Sequence, residues 1–600
     1  MSSDTFIKHL TSYSELWNEN TLEIIKSLLE ADKEGHLCIN CKPEWETLIQ
    51  YQPSPFKILN LHGEKLIYFE KSFHLKNKLE ESLNRLIEFK PSSGVNVSKI
   101  DDLLTALENK FSQSKDIVFK LNPDQRIAIQ NSINSHFQII TGGPGTGKTT
   151  VVAFLLQTLL ELDLLPNLEE IALVAPTGRA AQRLTESIQS NLNLINENPE
   201  FVSSLSGQTL HSLLNYRKNE GTFYYNKDRS LPYRLIIVDE VSMIDLKMMV
   251  SLFDALTNII NNQEADFRLI LLGDPNQLPS VERGAVLSDF LSEIDPKEKI
   301  LSELKTSNRQ SNQSNLYKLM KTIFPDNKES KNVISFDFPL VSNVQDGFSS
   351  KEDVLWIESL DKNPIINFEL MITTLWDHLF FPQILEVNQW NLISESQLKS
   401  FSKEKFISFI NRIRCLSIFR NGFFGIQNIH TKILNHAMKH FQNVKNNFPY
   451  VTLSNSIYFG GMPIIILKND KSRKLFNGDI GLILSIGEEL RAVFIIEGIL
   501  FSFAIDTLPE HEPAFFLTVH KSQGSEYETV LFYLPTLSTI NDSVESEGNS
   551  LLTKQILYTA VTRAKKRLIL IGEKETWEKG INNHPKRKTG FQLKHKTLYG

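Results

Sequence analysis

Gly142-Gly143-Pro144-Gly145-Thr146-Gly147-Lys148-Thr149 is the stretch whose reading decides the fold. It fits the spacing G-x-x-x-x-G-K-[ST] of a phosphate-binding loop. Phe137-Gln138-Ile139-Ile140 ahead of it reads as a short apolar strand, and residues 151–160 behind it have helical spacing. A glycine-rich turn alone is most often only a turn; strand, loop and helix in sequence are what the phosphate reading requires. Glycines let backbone N–H groups close around a phosphate, and the helix N-terminus adds positive potential. In that frame residues 142–150, including Pro144, Thr146 and Thr150, line a nucleotide. Lys148 reaches its β- and γ-phosphates and the Thr149 hydroxyl holds Mg²⁺, so the expected cofactors are ATP and Mg²⁺.

Working outward, Leu235-Ile236-Ile237-Val238-Asp239-Glu240 is an apolar strand that ends in two carboxylates. Strand C-termini of a parallel sheet line the ligand crevice. Asp239 then completes the Mg²⁺ shell begun by Thr149, and Glu240 polarises the attacking water. The plainer reading of such a pair is a helix N-cap. Leu269-Ile270-Leu271-Leu272-Gly273-Asp274-Pro275-Asn276-Gln277 delivers a second turn, and Gln277 offers a neutral amide to a γ-phosphate or its water. Phosphoryl transfer also builds charge that a guanidinium can meet at two oxygens. Arg563, in Tyr558-Thr559-Ala560-Val561-Thr562-Arg563, and Arg309, in Thr306-Ser307-Asn308-Arg309-Gln310, are the candidates.

At 600 residues the chain exceeds one core, and its length suggests about four domains. Apolar content of 41% and charged content of 22% are those of an ordinary globular protein. A net charge of −6 confines any nucleic-acid groove to a local patch. Three cysteines argue against a disulfide framework and fit a reducing cytoplasm. Cys38 and Cys41 form one C-x-x-C pair, too few for a zinc site, and read better as small apolar residues on a strand. No apolar run approaches the roughly 20 residues of a membrane span, and Met1-Ser2-Ser3-Asp4 does not open a signal peptide. The expectation is an intracellular protein without a membrane partner.

Residues 1–115 read as a separate, mostly helical unit, with Leu22, Ile25, Leu28 and Leu29, then Leu79, Leu83, Leu86 and Ile87, at helical spacing. No catalytic constellation falls there, so it is expected to dock a partner. Residues 116–310 alternate short apolar strands (137–140, 171–175, 234–238, 268–272) with helices, the signature of a parallel sheet. A second alternation occupies the latter part of 311–575, with strands expected at 464–467, 481–486 and 492–496 in a small β-subdomain spanning about 460–512. The aromatic-rich segment 355–390 reads as core. Residues 576–600, with Pro585-Lys586-Arg587-Lys588, read as a basic, mobile tail. No internal repeat is visible.

The ordered motifs resemble those of superfamily 1 helicases. Asn122-Pro123-Asp124-Gln125 resembles their adenine-reading glutamine motif, and Ala175-Pro176-Thr177-Gly178-Arg179 their strand-end motif that grips single-stranded DNA. Thr209-Leu210-His211-Ser212 and Thr518-Val519-His520-Lys521-Ser522-Gln523-Gly524 continue the series. Within that superfamily the chain resembles the RecD branch, the alpha subunits of exodeoxyribonuclease V. Asp239-Glu240-Val241-Ser242-Met243-Ile244-Asp245 is similar to its acidic motif. Arg420-Asn421-Gly422-Phe423-Phe424-Gly425 resembles its R-x-G-P-F-G segment, with Phe423 at the usual proline. Gly461-Met462-Pro463-Ile464 resembles the entry to its SH3-like insertion. The likeness covers roughly 116–575. Asn308 stands where an aromatic usually precedes the arginine.

The resemblance implies an α/β protein with two RecA-like P-loop NTPase domains, a small SH3-like β insertion in the second and a mostly helical N-terminal domain. It implies an ATP-driven 5′→3′ DNA helicase, the motor of a helicase–nuclease that processes double-strand ends for recombinational repair, without a nuclease site of its own. Its partners would be single-stranded tails, double-strand DNA ends and RecB-like and RecC-like subunits. By motif, Gln125 contacts adenine, Gln277, Arg309 and Arg563 serve the γ-phosphate, and Thr177, His211, Thr518 and His520 track DNA without reading sequence. Phe223-Tyr224-Tyr225 suggests a small surface hairpin, near the fork at most. A longer standalone DNA helicase, an RNA-directed superfamily 1 helicase and an adaptor with a vestigial ATPase are the alternatives.

Overall fold

The computed structural model of the chain describes residues 19–49, 54–89, 94–262, 266–295, 298–306, 314–325, 340–341, 350–358, 364–390, 392, 394–443, 449–453, 456–535 and 551–593. It forms two compact units, Met1–Asn308 with Pro585–Gly600, and Arg309–His584.

The first unit opens with α1 (Glu19–Lys33), β1 (Cys38–Asn40), β2 (Phe56–Leu61) and β3 (Glu64–Phe69). The strands pair antiparallel in the order β1-β3-β2. His62 and Gly63 both take positive φ between β2 and β3, the backbone a two-residue hairpin requires. Then come α2 (Glu70–Glu88), α3 (Val97–Lys115) and α4 (Pro123–Ile133), so the helical N-terminal region also holds a three-stranded sheet.

From here strands and helices alternate: β4 (Phe137–Gly142), α5 (Lys148–Glu161), β5 (Ile171–Ala175), α6 (Gly178–Leu192), β6 (Gly207–Thr209) and α7 (Leu210–Leu213). The two-residue strands β7 (Tyr216–Arg217) and β8 (Thr222–Phe223) make a ribbon. β9 (Leu235–Val238), α8 (Leu246–Asn261), β10 (Arg268–Gly273), α9 (Val286–Glu293) and β11 (Leu301–Leu304) complete the unit. Among the described residues its main sheet has six strands, all parallel, in the order β11-β4-β10-β9-β5-β6. Leu271 lies opposite Ile139 on one side and Val238 on the other.

Side-chain alternation explains why these strands are apolar throughout. Ile139, Val174, Ile236, Val238, Leu269 and Leu271 enter the core on one face. Ile140, Leu173, Leu235, Ile237, Ile270 and Leu272 enter the core on the other. α5 lies in the second core, where residues 151–159 are all buried.

The first core corrects two expectations. Leu79, Leu83 and Leu86 of α2 share it with Met249, Phe253 and Leu256 of α8, so residues 1–115 are not set apart from the sheet that follows. Lys78 pairs with Asp254 at 2.7 Å and reinforces that contact. Phe591 and Leu593 enter the same core, so residues 585–593 are a packed strap rather than a mobile tail. Apolar side chains that share one core cannot part without exposing it to water.

In the second unit β12 (Leu340–Val341) and β13 (Val354–Ile357) precede α10 (Pro364–Leu375), α11 (Phe381–Asn388), α12 (Lys403–Arg412), β14 (Ile413–Ser417) and α13 (Ile426–Asn443). β15 (Tyr450–Leu453) pairs with β16 (Ser456–Phe459). Five strands then form an antiparallel sheet: β17 (Pro463–Ile466), β18 (Ile480–Ile486), β19 (Glu489–Ile496), β20 (Ile499–Ala504) and β21 (His511–Pro513), in the order β20-β19-β18-β17-β21. β22 (Phe516–Thr518), β23 (Tyr527–Tyr533), α14 (Lys554–Thr562), β24 (Ala564–Ile571) and α15 (Lys574–Asn582) end the unit. Its main sheet is again six-stranded and parallel among the described residues, in the order β12-β13-β24-β23-β14-β22. Phe459, Ile464 and Phe494 of the smaller sheets share a core with Leu355, Leu531 and Ile569, and Trp376 and Phe380 from the aromatic-rich segment are buried in it. α15 extends the unit to residue 582, past the expected boundary at 575.

Candidate nucleotide site and nucleic-acid track

The loop between β4 and α5 takes its shape from three glycines. Gly145 and Gly147 have φ of +75° and +85°, a region that favours glycine. A Cβ on Gly142 would lie 2.6 Å from Thr146 Oγ1 and 3.0 Å from Leu304 Cβ, so that position admits no side chain without movement. Thr146 Oγ1 donates to the Gly143 carbonyl at 2.9 Å, and Lys148 Nζ donates to the carbonyls of Gly142 (2.6 Å) and Gly143 (3.2 Å). The ammonium therefore rests on the loop it is expected to complete. Thr149 and Thr150 lie in the first turn of α5, and Ser187 Oγ of α6 donates to Thr149 Oγ1 at 2.8 Å.

Asp239 leaves the end of β9 in the same sheet. Its Oδ1 accepts from the Glu240 N–H at 2.8 Å. Burial pushes its carboxyl above the usual carboxylate range, opposed by the positive charge of Lys148. Glu240 sits at φ +52°, ψ +44°, a left-handed conformation that costs a non-glycine residue on the order of 1 kcal/mol. The helix cap in this stretch is Asp245 instead, whose carboxylate accepts from the Met248 N–H at 2.9 Å.

Between these two strands, β10 presents a buried turn. Asp274 accepts from the Asn276 N–H at 3.0 Å and from the Gln277 side-chain amide at 3.2 Å. Gln277 is thereby held by its own turn. Gln125 is fully buried; its Oε1 accepts from the Asn122 N–H at 2.9 Å and its Nε2 donates to the Thr146 carbonyl at 2.8 Å. In this structure it braces the phosphate loop. The adjacent Asp124 accepts from the N–H groups of Lys305 (2.6 Å) and Thr306 (3.3 Å), just beyond β11.

The remaining first-unit candidates follow the next two strands. Thr177 caps α6, its hydroxyl accepting from the Ala180 N–H at 3.2 Å. His211 lies on α7 and meets Tyr216 edge-on with ring centroids 5.6 Å apart. Burial lowers the His211 pKa, opposed by Asp245. Phe223 of the aromatic stretch pairs with Tyr216 in the β7–β8 ribbon, and Tyr224 carries the Arg229 guanidinium 3.9 Å from its ring centroid. Along the sheet, then, the C-terminal ends of β4, β10, β9, β5 and β6 deliver in order the phosphate loop, Gln277, Asp239 with Glu240, Thr177 and His211.

Three described candidates belong to the second unit. Thr518 Oγ1 accepts from the Lys521 N–H at 3.2 Å. His520 follows on a short helical turn, and burial lowers its pKa. Arg563 is buried at the end of α14; its guanidinium donates to the carbonyls of Thr559 and Ser525, both at 3.1 Å, and to Thr562 Oγ1 at 3.3 Å. It ties its helix to the Thr518–Glu526 motif, and reaching a phosphate would exchange those bonds. Arg309 lies outside the described residues.

Sequence reasoning missed Ser187 and Asp124 as supports of the site. Asp124 stood inside a quoted motif, whereas Ser187 belongs to no pattern around it.

A family model described as an AAA domain matches residues 125–283, and one described as a UvrD-like helicase C-terminal domain matches residues 513–571. The chain is similar to the RecBCD enzyme subunit RecD of Haemophilus influenzae, 32% identical over 503 residues that span 78% of this chain and 71% of that protein. The RecD subunit of Mycolicibacterium smegmatis is 30% identical over 475 residues, 78% of this chain and 74% of that one. The ATP-dependent RecD2 DNA helicase of Deinococcus radiodurans is 24% identical over 526 residues, 86% of this chain and 56% of that one.

Proposed function

The chain belongs to the RecD family of RecBCD enzyme subunits, and we propose that it is an ATP-dependent 5′→3′ DNA helicase and translocase. It serves as the motor subunit of a helicase–nuclease that processes double-strand DNA ends for recombinational repair, with RecB-like and RecC-like partners. The observation that carries this reading is the single row of strand ends in the first unit, from the phosphate loop to His211. The groups read as serving nucleotide chemistry and strand grip there sit at neighbouring strand ends of one parallel sheet.

In this reading both units are RecA-like, and the β17–β21 sheet is the SH3-like insertion. Residues 142–150 cradle the phosphates of ATP, and the positive φ of Gly145 and Gly147 gives the loop the shape for it. Lys148 leaves its loop carbonyls for the β- and γ-phosphates. Thr149 and Asp239 would hold Mg²⁺, and the Asp239 carboxyl, pushed up by burial beside Lys148, is a group that a cation returns to its charged form. Bound there, the ion neutralises charge on the phosphate oxygens. Glu240 orients the attacking water, and Gln277 senses the γ-phosphate. Gln125 joins the adenine edge to the loop, and Arg309 and Arg563 neutralise charge at the γ-phosphate. Thr177, His211, Thr518 and His520 line the DNA track through contacts that ignore sequence. The ribbon holding Phe223 is a surface element beside that track. Residues 1–115 form the partner-docking region, and the working place is the cytoplasm.

ATPase rate with and without single-stranded DNA, for the wild-type chain and Lys148→Gln, followed by unwinding of duplexes with a 5′ or a 3′ tail, tests the reading. DNA-stimulated hydrolysis lost in Lys148→Gln, with opening only from the 5′ tail, is the expected result. Stimulation by RNA in preference to DNA, or opening from the 3′ tail, would overturn it.

A further inference from the structure

Residues 585–593 form a strap that returns to the first unit immediately after the second unit ends at His584. Its one arginine does more than fasten it. Arg587 Nη1 donates to the carbonyls of Gly284 (2.6 Å) and Glu282 (3.0 Å), and Nη2 donates to the Ser280 carbonyl at 2.7 Å. One guanidinium thus gathers three carbonyls of the loop 280–284, which begins three residues after Gln277. Leu278, in between, and Ser280, at the start of the loop, are buried, so the connection is short and packed.

The seat is built for this side chain. Gly35 has φ +82°, and a Cβ there would lie 2.4 Å from Arg587 Cζ. The Gly35 carbonyl also accepts from the Gly284 N–H at 3.0 Å, so the same glycine closes the loop from its other side. Beyond Arg587, Lys588 N–H donates to His36 Nδ1 at 2.7 Å, and Tyr68 Oη donates to the Thr589 carbonyl at 3.1 Å.

We propose that Arg587 is a positioning residue for the Gln277 turn: by binding the carbonyls of Ser280, Glu282 and Gly284 it holds Gln277 in register with the phosphate loop. This rests on reading Gln277 as the γ-phosphate-sensing amide. A planar fork suits the task, because it fixes several acceptors in one geometry at once. The chain leading into the strap comes from the second unit.

The test uses the full chain and compares Arg587→Ala, Arg587→Lys, Gln277→Ala and the double variant Arg587→Ala/Gln277→Ala. Readouts are kcat and KM for ATP with single-stranded DNA, affinity for a fluorescent ADP analogue, which has no γ-phosphate, and the melting temperature. Displacement of a positioned group by a fraction of an ångström is felt strongly, so Arg587→Ala should lower kcat about tenfold while ADP affinity stays within about twofold. Arg587→Lys keeps the charge without the fork and should fall between; it carries the test alone if Arg587→Ala does not fold. The double variant should be no slower than Gln277→Ala, since both changes act through one group. An unchanged kcat in a folded Arg587 variant, or parallel losses of kcat and ADP affinity, would overturn the proposal. A wild-type kcat in Gln277→Ala would instead overturn the reading of Gln277, and with it the proposal's premise.

Discussion

The side-chain amide of Gln125 donates to the Thr146 carbonyl at 2.8 Å while its oxygen accepts from the Asn122 N–H at 2.9 Å. One buried side chain thereby joins the start of α4 to the phosphate loop. Gly147 lies against the same amide, with a Cβ placed there only 2.5 Å from Gln125 Nε2.

Gln125→Ala should therefore be felt twice. Leaving the Asn122 N–H and the Thr146 carbonyl without this partner should lower stability by about 1–3 kcal/mol. Loosening the loop should also raise KM for ATP. Chemical denaturation and ATPase kinetics on one preparation check both. A raised KM with unchanged stability would mean that Gln125 acts on the nucleotide alone and not on the loop.

Asp239→Asn should separate stability from activity. Burial disfavours the charged carboxylate of Asp239, against the opposing charge of Lys148. A neutral amide of the same shape should leave the melting temperature unchanged or raise it, while kcat falls by roughly 100-fold or more through loss of a metal ligand and of preorganised charge. Melting and ATPase assays at saturating Mg²⁺ test the pair of effects. A large loss of melting temperature would show that the carboxylate holds the fold.

The strap should make stability depend on pH through Asp289. Its carboxyl accepts from Thr589 Oγ1 at 2.6 Å, and burial pushes its pKa up to about 7, with Glu80 and Glu293 adding repulsion. The Arg587 guanidinium feels the Asp289 charge. A folded pKa above the unfolded value of about 4 means that the folded state binds the proton more tightly between these limits. The contribution is thus fully present below about pH 4 and is lost as pH rises to about 7. Asp289→Asn should flatten this part of the profile of melting temperature against pH. A variant profile that overlays the wild type would place the dependence on other groups.

Much of the first unit was legible because its signals are local. Strand β9 was expected at 234–238 and runs over Leu235–Val238; β10 was expected at 268–272 and runs over Arg268–Gly273. Strands buried on both faces read as unbroken apolar runs, which few other structures produce. β6 and β11 were missed because Gly207-Gln208-Thr209 and Leu301-Ser302-Glu303-Leu304 are short and carry polar residues. At the edges of the sheet such residues meet less core. In the second unit β20 escaped notice for a related reason, since Ile499 and Phe501 face outward and blur the pattern.

What the sequence by itself determined is the set of candidate groups, while the sheet order that lines them up in a row came from the fold. Gly142 to Thr149, Asp239 with Glu240, Asp274 to Gln277, Thr177 and His211 are each encoded in a few consecutive residues, because a strand end, a turn of special φ and a helix start need only neighbours in the chain. Tertiary structure alone decided what steadies that row: Ser187 against Thr149, Gln125 on the Thr146 carbonyl, α2 against α8, and Arg587 across the loop after Gln277. Arg587 and Ser280 are 307 positions apart and meet through a backbone carbonyl. Every residue carries such a carbonyl, so the partner leaves no mark in the sequence, and only the folded core that brings residues 585–593 back shows which one is used.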